Sequence, residues 1–276
     1  MQLKKYFAPT FATLLLAGAS VANAAAPINV TWNPSGTVPP ISTQGPFTFN
    51  NIVLNTYSNI DIVGSTFSEQ GFLDLSLFNL GSAPQAIPNA GFPAGTPYSL
   101  YIQFTATGTQ SPGIPSNGNF TSLSYTLFGA PGVTTYNANG AGIFSSSGAA
   151  GTALATGSLL SPGSTSISID PVTGSLLPAA QVFASFIPNS SLATRNFFVN
   201  PTAFQNLDFS GAFTNTGSVI TQSSIQGGTR LSINGGGGNA TFALAAIPEP
   251  DTYGMLLAGL GLFGFVARRR SNRDAA

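Results

Sequence analysis

The sequence predicts an all-β protein: a single jelly-roll-like sandwich, flanked by an N-terminal signal peptide and a short C-terminal transmembrane helix. The first observation is that apolar and polar residues alternate with a period of two in many short stretches, which is typical of strands with one buried face. The second is that Gly, Pro, Asn or Ser bounds each stretch. The third is that no helical periodicity interrupts the series between the two ends. Many short strands of this kind favour a sandwich.

The N-terminal residues have the three parts of a signal peptide. Lys4 and Lys5 form a basic start, residues 7–19 form an apolar stretch, and Ala22 and Ala24 supply the small side chains at a cleavage site. We therefore expect the export machinery to translocate the chain and signal peptidase to remove residues 1–24. The alternative is an uncleaved N-terminal anchor, which the short apolar stretch disfavours.

Residues 25–247 are interpreted as one extracellular β-sandwich domain. Its strand-like stretches are short and rich in β-branched and aromatic residues, and they lie at 47–54, 72–78, 98–105, 120–128, 165–169, 229–233 and 240–245. A further strand is expected at 207–214. Phe209 and Phe213 would share one face of that strand because they are four residues apart, and both are expected in the core.

Three stretches rich in Pro and Gly are expected to be loops, at 33–46, 81–97 and 108–119. The prolines in 81–97 exclude a central strand there, since proline cannot donate a hydrogen bond to a neighbouring strand. The run Gly235–Gly238 is expected to be a turn or linker ahead of the last strand. It lacks the following Lys, Ser or Thr and the helix that a phosphate-binding loop would need.

The charge content of the expected domain is very low. Residues 25–247 contain five acids and two bases, which gives a net charge of −3. Nucleic-acid binding requires a basic surface that neutralises phosphates, and a polybasic membrane patch requires clustered Lys and Arg. Both classes are excluded. A low net charge also favours self-association.

The absence of two residue types excludes most catalytic chemistry. The chain has no His and no Cys, so a Ser-His-Asp triad, a Cys-His pair and a His-based metal site are impossible. Only a pair of carboxylates, as in glycosidases, could act. The acids are scattered and lie in no recognisable motif, so no catalytic, cofactor-binding or metal-binding residue is assigned.

One group of acids, Asp61, Glu69 and Asp74, could supply oxygen ligands for Ca²⁺ if its strands were adjacent. The spacing matches no standard calcium loop. The favoured alternative places Asp61 and Glu69 at turns or edges, with Asp74 facing solvent on an alternating strand. A structural pair between Asp208 and Arg195 is a further open alternative.

The aromatic residues allow two interpretations. Phe and Tyr at alternate positions are typical of a sandwich core. Exposed tyrosines could instead stack on sugar rings, and the candidates are Tyr57, Tyr98, Tyr101, Tyr125 and Tyr136.

The C-terminal residues combine three parts in a fixed order. They are the tripeptide Pro248, Glu249 and Pro250, the uncharged apolar stretch 252–267, and the basic group Arg268, Arg269 and Arg270. Basic residues after an apolar stretch keep that flank on the cytoplasmic side. At about 1.5 Å per residue, a helix over 252–267 would be roughly 24 Å long, short of a hydrocarbon core of roughly 30 Å. A transient anchor therefore fits better than the alternative, a permanent single-pass helix.

This order of parts resembles the PEP-CTERM sorting signal, which would occupy residues 248–276. The resemblance implies that an exosortase processes the protein while the C-terminal helix holds it in the inner membrane. It also implies a final location at the cell surface or in an extracellular matrix that contains exopolysaccharide. The tripeptide and the three arginines are the sorting residues that the resemblance implies.

Residues 196–216 resemble the corresponding part of flocculation-associated PEP-CTERM proteins, through a Phe-Phe-x-x-Pro stretch and an Asn-x-Asp-Phe-x-Gly-x-Phe stretch. This second resemblance implies a non-enzymatic matrix protein that promotes flocculation or biofilm formation. A secreted carbohydrate-active enzyme that uses two carboxylates is the alternative.

Overall fold

The computed structural model describes residues 27–113, 115–142, 144–172, 174–201, 207–214 and 219–244. The expected signal peptide and sorting signal lie outside these ranges. Within them the chain is all-β, as predicted, and the only helices are 3₁₀ turns at Pro34–Gly36 and Pro88–Ala90.

The strands account for most of the described chain. They are β1 (Val30–Trp32), β2 (Phe47–Phe49), β3 (Asn51–Val63), β4 (Thr66–Leu80), β5 (Ala83–Ala86), β6 (Tyr98–Gln110), β7 (Ser116–Pro131), β8 (Thr135–Ala138), β9 (Phe144–Ser147), β10 (Thr152–Ile169), β11 (Leu176–Pro188), β12 (Phe198–Asn200), β13 (Leu207–Thr214), β14 (Val219–Ile225) and β15 (Gly228–Leu244). The strand expected at 207–214 is β13, and every other expected stretch overlaps a strand.

Most strands belong to one large antiparallel sheet that closes on itself. Its order is β13-β11-β10-β7-β6-β4-β3-β15, and β13 pairs with β15 as well as with β11. β14 pairs with the first half of β15, and β5 pairs with the end of β4. Consecutive long strands are neighbours, so the arrangement is up-and-down, and closure removes the unpaired edges of an open sheet.

Side chains alternate between the inside and the outside of this closed sheet, because successive residues of a strand point to opposite faces. In β6, Ile102 and Phe104 are buried inside. The alternate residues Gln103, Thr105 and Thr107 are exposed on the outer face, and the Thr107 hydroxyl lies 2.7 Å from the Ser122 hydroxyl on β7. In this part of the sheet the inner face is therefore mainly apolar, while the outer face carries uncharged hydroxyl groups.

Gly157 in β10 makes room for a tyrosine that lies across the inner face. A Cβ atom at Gly157 would come within 2.3 Å of the Tyr125 ring. The ring occupies that space, and the Tyr125 hydroxyl donates a hydrogen bond of 2.7 Å to the carbonyl oxygen of Ser185. The absence of a side chain at Gly157 thus fixes the position of a large buried ring.

A small sheet with the order β12-β1-β2 fills one end of the closed sheet. Trp32 of β1 is 1% exposed and lies at its centre. Its ring centroid is 4.9 Å from Phe49, 5.4 Å from Phe78 and 6.0 Å from Phe242. Phe78 and Phe242 belong to β4 and β15, so these four residues, which we call the aromatic plug, join the small sheet to the large one.

The hairpin β8-β9 lies against the outer face of the large sheet, over β3 and β15. The side chain of Asn234 on β15 donates to the carbonyl oxygen of Ala138 and accepts from its amide, at 2.5 and 2.9 Å. The Ser223 hydroxyl donates to the carbonyl oxygen of Gly140 at 2.9 Å. These bonds hold the hairpin on the sheet.

The structure corrects two expectations about the fold. The strand order is up-and-down within one closed sheet, and a jelly-roll sandwich is not observed. Alternation identifies strands with one buried face, but it does not specify which strands pair. The run Gly235–Gly238 lies inside β15, where Gly237 pairs with Asn55 and Gly238 with Leu54, so it is not a turn.

The loop predictions are confirmed at 33–46 and 81–97, which contain only the 3₁₀ turns and the short strand β5. The loop at 108–119 is shorter than expected, because β6 continues to Gln110 and β7 begins at Ser116. The Pro and Gly residues predict the position of the connection correctly. Pairing between β6 and β7 extends both strands into the stretch that was expected to be loop.

Candidate functional site

The three acids that could have formed a calcium site do not meet. β3 and β4 are adjacent, but Asp61 lies near one end of the outer face, Glu69 on the inner face, and Asp74 on the outer face several residues away. Within the described ranges no group of three or more His, Cys, Asp or Glu side chains could hold a metal ion. The favoured alternative, with Asp61 and Glu69 at turns or edges and Asp74 facing solvent, is also wrong in part.

Asp61 pairs with an arginine that is distant in sequence. Arg230 lies directly opposite it on β15, with Nε 2.5 Å from Oδ1 and Nη2 2.6 Å from Oδ2. The two side chains are 17% and 29% exposed. This two-bond geometry is the arrangement that Arg adopts with a carboxylate, so Asp61 has a structural partner that the sequence did not reveal.

Glu69 lies inside the closed sheet, and it is neither a turn nor an edge residue. Its Oε1 accepts a hydrogen bond of 2.7 Å from the Ser58 hydroxyl. Burial raises the pKa of Glu69 to about 7, and the Ser58 hydrogen bond opposes that rise. The Glu69 carboxyl group can accept hydrogen bonds in either protonation state.

A cavity of about 70 Å³ lies beside Glu69. By the same measure one water needs about 10–15 Å³, so the cavity has room for roughly five. Its walls come from most strands of the closed sheet and are mainly apolar; they include Ile60, Leu73, Phe104, Phe120, Leu123 and Val182. Thr56 also lines it and is 4% exposed, and its hydroxyl forms no hydrogen bond.

The sequence contains a local signal for this site. The inward positions of β3 are Ile52, Leu54, Thr56, Ser58 and Ile60, so two polar residues interrupt an apolar series. Glu69 interrupts the inward series of β4 in the same way. Polar residues at positions that should be buried are informative, whereas grouping the acids by sequence distance alone joins residues from opposite faces.

Asp74 is buried on the outer face, contrary to the expectation that it faces solvent. It is 6% exposed, and its Oδ1 forms no hydrogen bond. Burial raises the pKa of Asp74 to about 6, opposed by hydrogen bonds from Asn55 and Asn89. The carboxyl group is covered because the 3₁₀ turn at Pro88–Ala90 packs on β4 and the Tyr136 ring of β8 lies 5.3 Å from the Phe72 ring.

An aromatic cluster surrounds Asp74 on the outer face. The Tyr136 ring centroid lies 5.4 Å from Tyr57, 5.3 Å from Phe72 and 5.6 Å from Tyr101. Of the five tyrosines considered for sugar stacking, Tyr98 and Tyr125 are in the core, while Tyr57, Tyr101 and Tyr136 pack on one another here. The core interpretation is thus confirmed for Tyr98 and Tyr125, while the other three tyrosines form an aromatic cluster on the outer face.

Several expected site residues lie outside the described residues. These are the cleavage residues Ala22 and Ala24, the tripeptide Pro248, Glu249 and Pro250, and the basic group Arg268, Arg269 and Arg270. Asp208 and Phe209 belong to β13, but only their backbone is described. Among the described residues, none of the helices has the length and apolar character needed to span a membrane.

Comparison with known proteins identifies one segment of the chain. Residues 246–270 match the PEP-CTERM protein-sorting motif. No curated protein and no solved structure matches the chain. The motif implies an exported protein that an exosortase sorts after transient anchoring in the membrane.

Proposed function

We propose that this chain is a non-enzymatic matrix or cell-surface protein that is associated with exopolysaccharide and promotes flocculation or biofilm formation. The match of residues 246–270 to the sorting motif carries the proposal, because it directs the protein to export and exosortase processing. The resemblance of residues 196–216 to flocculation-associated proteins supports the matrix role.

The surface of the closed sheet supports an association with carbohydrate. Thr105 and Thr107 of β6 lie 3.1 and 2.7 Å from Ser124 and Ser122 of β7, and all four are on the outer face. We call these residues the hydroxyl row. Each hydroxyl group can donate and accept a hydrogen bond, and no charge stands among them, so the row suits a neutral polysaccharide.

The positions of the acids support a non-enzymatic role. A glycosidase needs two carboxyl groups that flank one bond, about 5–10 Å apart on the same site. Asp61 pairs with Arg230, Glu69 faces the interior, and Asp74 is covered on the outer face. Among the described side chains, no two acids face a common cleft.

Sorting can be tested by changing the basic group. Replacing Arg268, Arg269 and Arg270 with Glu removes the positive flank, and the protein should then be released unprocessed into the periplasm. Replacement of the same residues with Lys keeps the charge and should leave processing intact. Intact mass of the exported protein distinguishes the forms, and normal processing of the Glu variant would contradict the role of the arginines.

The polysaccharide association has its own test. The exported protein should co-sediment with exopolysaccharide from the producing cells, and the variant Thr107→Val with Ser122→Ala should co-sediment less. Thr135→Val with Ser147→Ala is the matched control, because this pair forms a similar exposed hydroxyl contact on β8 and β9. Equal loss in both variants, or no co-sedimentation of the parent protein, would contradict the proposal.

The enzymatic alternative is tested separately. The exported protein is assayed for cleavage of the same polysaccharide, with Asp61, Glu69, Asp74, Asp170 and Asp208 replaced one at a time by Ala. Cleavage that one folded variant abolishes would establish the alternative and overturn the matrix proposal.

A further inference from the structure

The closed sheet has an interior cavity with a defined polar end. Among the lining residues only Glu69 and Tyr125 are titratable, and the Tyr125 hydroxyl is bonded to the Ser185 carbonyl oxygen. Glu69 uses Oε1 to accept from Ser58, and its Oε2 forms no hydrogen bond with any described residue. This oxygen is open to the cavity, so it is available to a hydrogen-bond donor.

A second polar atom faces the same cavity. The Thr56 hydroxyl is buried without a hydrogen-bond partner. Thr56 is two residues from Ser58 on the inner face of β3, roughly 7 Å along the strand. Both residues line the cavity, which therefore offers a carboxyl oxygen at Glu69 and a hydroxyl group at Thr56, while most of its other walls are apolar.

The wall of the closed sheet has an opening near the cavity. The register between β7 and β10 breaks between Ser158 and Ser164, and an outer groove lies there, lined by Leu160 and Phe120 among others. Phe120 also lines the interior cavity, so the groove and the cavity share this side chain. Leu160 is 52% exposed and offers an apolar approach from solvent.

The opposite end of the sheet is closed by the aromatic plug. Trp32 and Phe78 are at most 1% exposed there. Closed sheets of about eight strands enclose a space that side chains just fill or that holds one small ligand. Here the aromatic plug fills one end, and the space beside Glu69 remains open.

We infer that the interior cavity binds a small aliphatic alcohol, with its chain against the apolar walls and its hydroxyl group between Glu69 and Thr56. A hydroxyl group fits both partners because it can donate to the carboxyl oxygen and accept from the threonine. An ammonium group cannot accept a hydrogen bond from the Thr56 hydroxyl. Its charge would also lose its hydration inside the sheet. The cavity of about 70 Å³ limits the ligand to about five or six non-hydrogen atoms. This inference is independent of the polysaccharide role, which concerns the outer face.

The experiment compares two isomers of the same size, 1-pentanol and butyl methyl ether, by calorimetric titration of the exported protein. Above pH 8, where Glu69 is ionised, the alcohol should bind at least about tenfold more tightly, because only it can donate a hydrogen bond to the carboxylate. Pentylamine and pentanoate should bind more weakly than the alcohol. Equal binding of the two isomers, or no binding of 1-pentanol at millimolar concentration, would overturn the inference.

Variants locate the site. Glu69→Gln keeps an oxygen for Ser58 but presents an amide to the ligand, and it should lower the affinity for 1-pentanol about tenfold. Asp74→Asn is the matched control on the outer face of the same strand and should leave the affinity unchanged. Ala180→Leu fills the cavity from β11 and should abolish binding, which tests the site even if Glu69→Gln does not fold. An affinity that neither Glu69→Gln nor Ala180→Leu changes would place the alcohol elsewhere and overturn the inference.

Discussion

Replacing Glu69 with Gln should change how the stability of the protein depends on pH. Burial raises the pKa of Glu69 from 4.5 to about 7, so the folded protein keeps this proton at pH values where the unfolded chain has released it. The free energy of unfolding should therefore fall as the pH rises from about 4.5 to about 7, and then level off. Below that window both states are protonated, and the Glu69 contribution is fully present.

The size of the effect follows from the shift in pKa. One pKa unit corresponds to about 1.4 kcal/mol, so a rise from 4.5 to about 7 corresponds to about 3 kcal/mol. The amide of Glu69→Gln does not titrate, and its carbonyl oxygen can still accept from the Ser58 hydroxyl. The variant should thus be more stable than the parent protein by up to about 3 kcal/mol above pH 8. Near pH 4 the two proteins should differ little.

The measurement is urea unfolding between pH 4 and pH 9, followed by the fluorescence of Trp32, which is the single Trp of the chain and is buried. Asp74→Asn is the matched control. The pKa of Asp74 is raised to about 6, so the difference between this variant and the parent protein should be complete near pH 6. If Glu69→Gln and the parent protein lose stability in parallel from pH 4.5 to pH 8, Glu69 is not inside the sheet and the cavity assignment fails.

Three further predictions concern the stability of the fold, each measured by urea unfolding. Trp32→Ala should lower the free energy of unfolding by about 3–5 kcal/mol, the usual cost of truncating a buried aromatic side chain, and a loss under about 1 kcal/mol would mean that the aromatic plug does not hold the two sheets together. Phe209→Ala should also lower the free energy of unfolding by about 3–5 kcal/mol, because the Phe209 backbone is in register with buried residues of β11 and β15. Ser210→Ala should cost much less. A larger loss for Ser210→Ala than for Phe209→Ala would show that the register is wrong. Asp61→Ala and Arg230→Ala should show a coupling of about 1 kcal/mol in a double-mutant cycle, reduced by salt because the pair is partly exposed, and additive effects would mean that the pair contributes nothing.

The spacing of Glu69 and Asp74 along the sequence indicates which face of the sheet each acid lies on. Glu69 and Asp74 are five residues apart on one strand, and an odd separation places them on opposite faces. The period of two, which predicted the strands, also predicts that these acids cannot share a site. What it could not predict is the burial of Asp74, because part of the cover over this face of β4 is the Tyr136 ring of β8, far along the chain.

The pairing of Asp61 with Arg230 shows the same limit. The two residues are separated by 169 positions and meet because β15 returns to lie beside β3. No local pattern records such a partner, since register between distant strands is set by the whole arrangement of hairpins. Sequence reasoning therefore left Asp61 unpaired and grouped it with the wrong acids.

The amino-acid sequence by itself determined the all-β class, the positions of most strands and loops, and the sorting motif at the C-terminal end, because these depend on local alternation, on turn residues and on a contiguous motif. It also excluded chemistry that needs His or Cys. Only the tertiary structure decided that the sheet closes, that β13 completes it beside β15, and that Glu69 and Thr56 face one cavity. The physical reason is that closure depends on which distant edges pair, and a strand with one apolar face can satisfy that face in a sandwich or in a closed sheet alike.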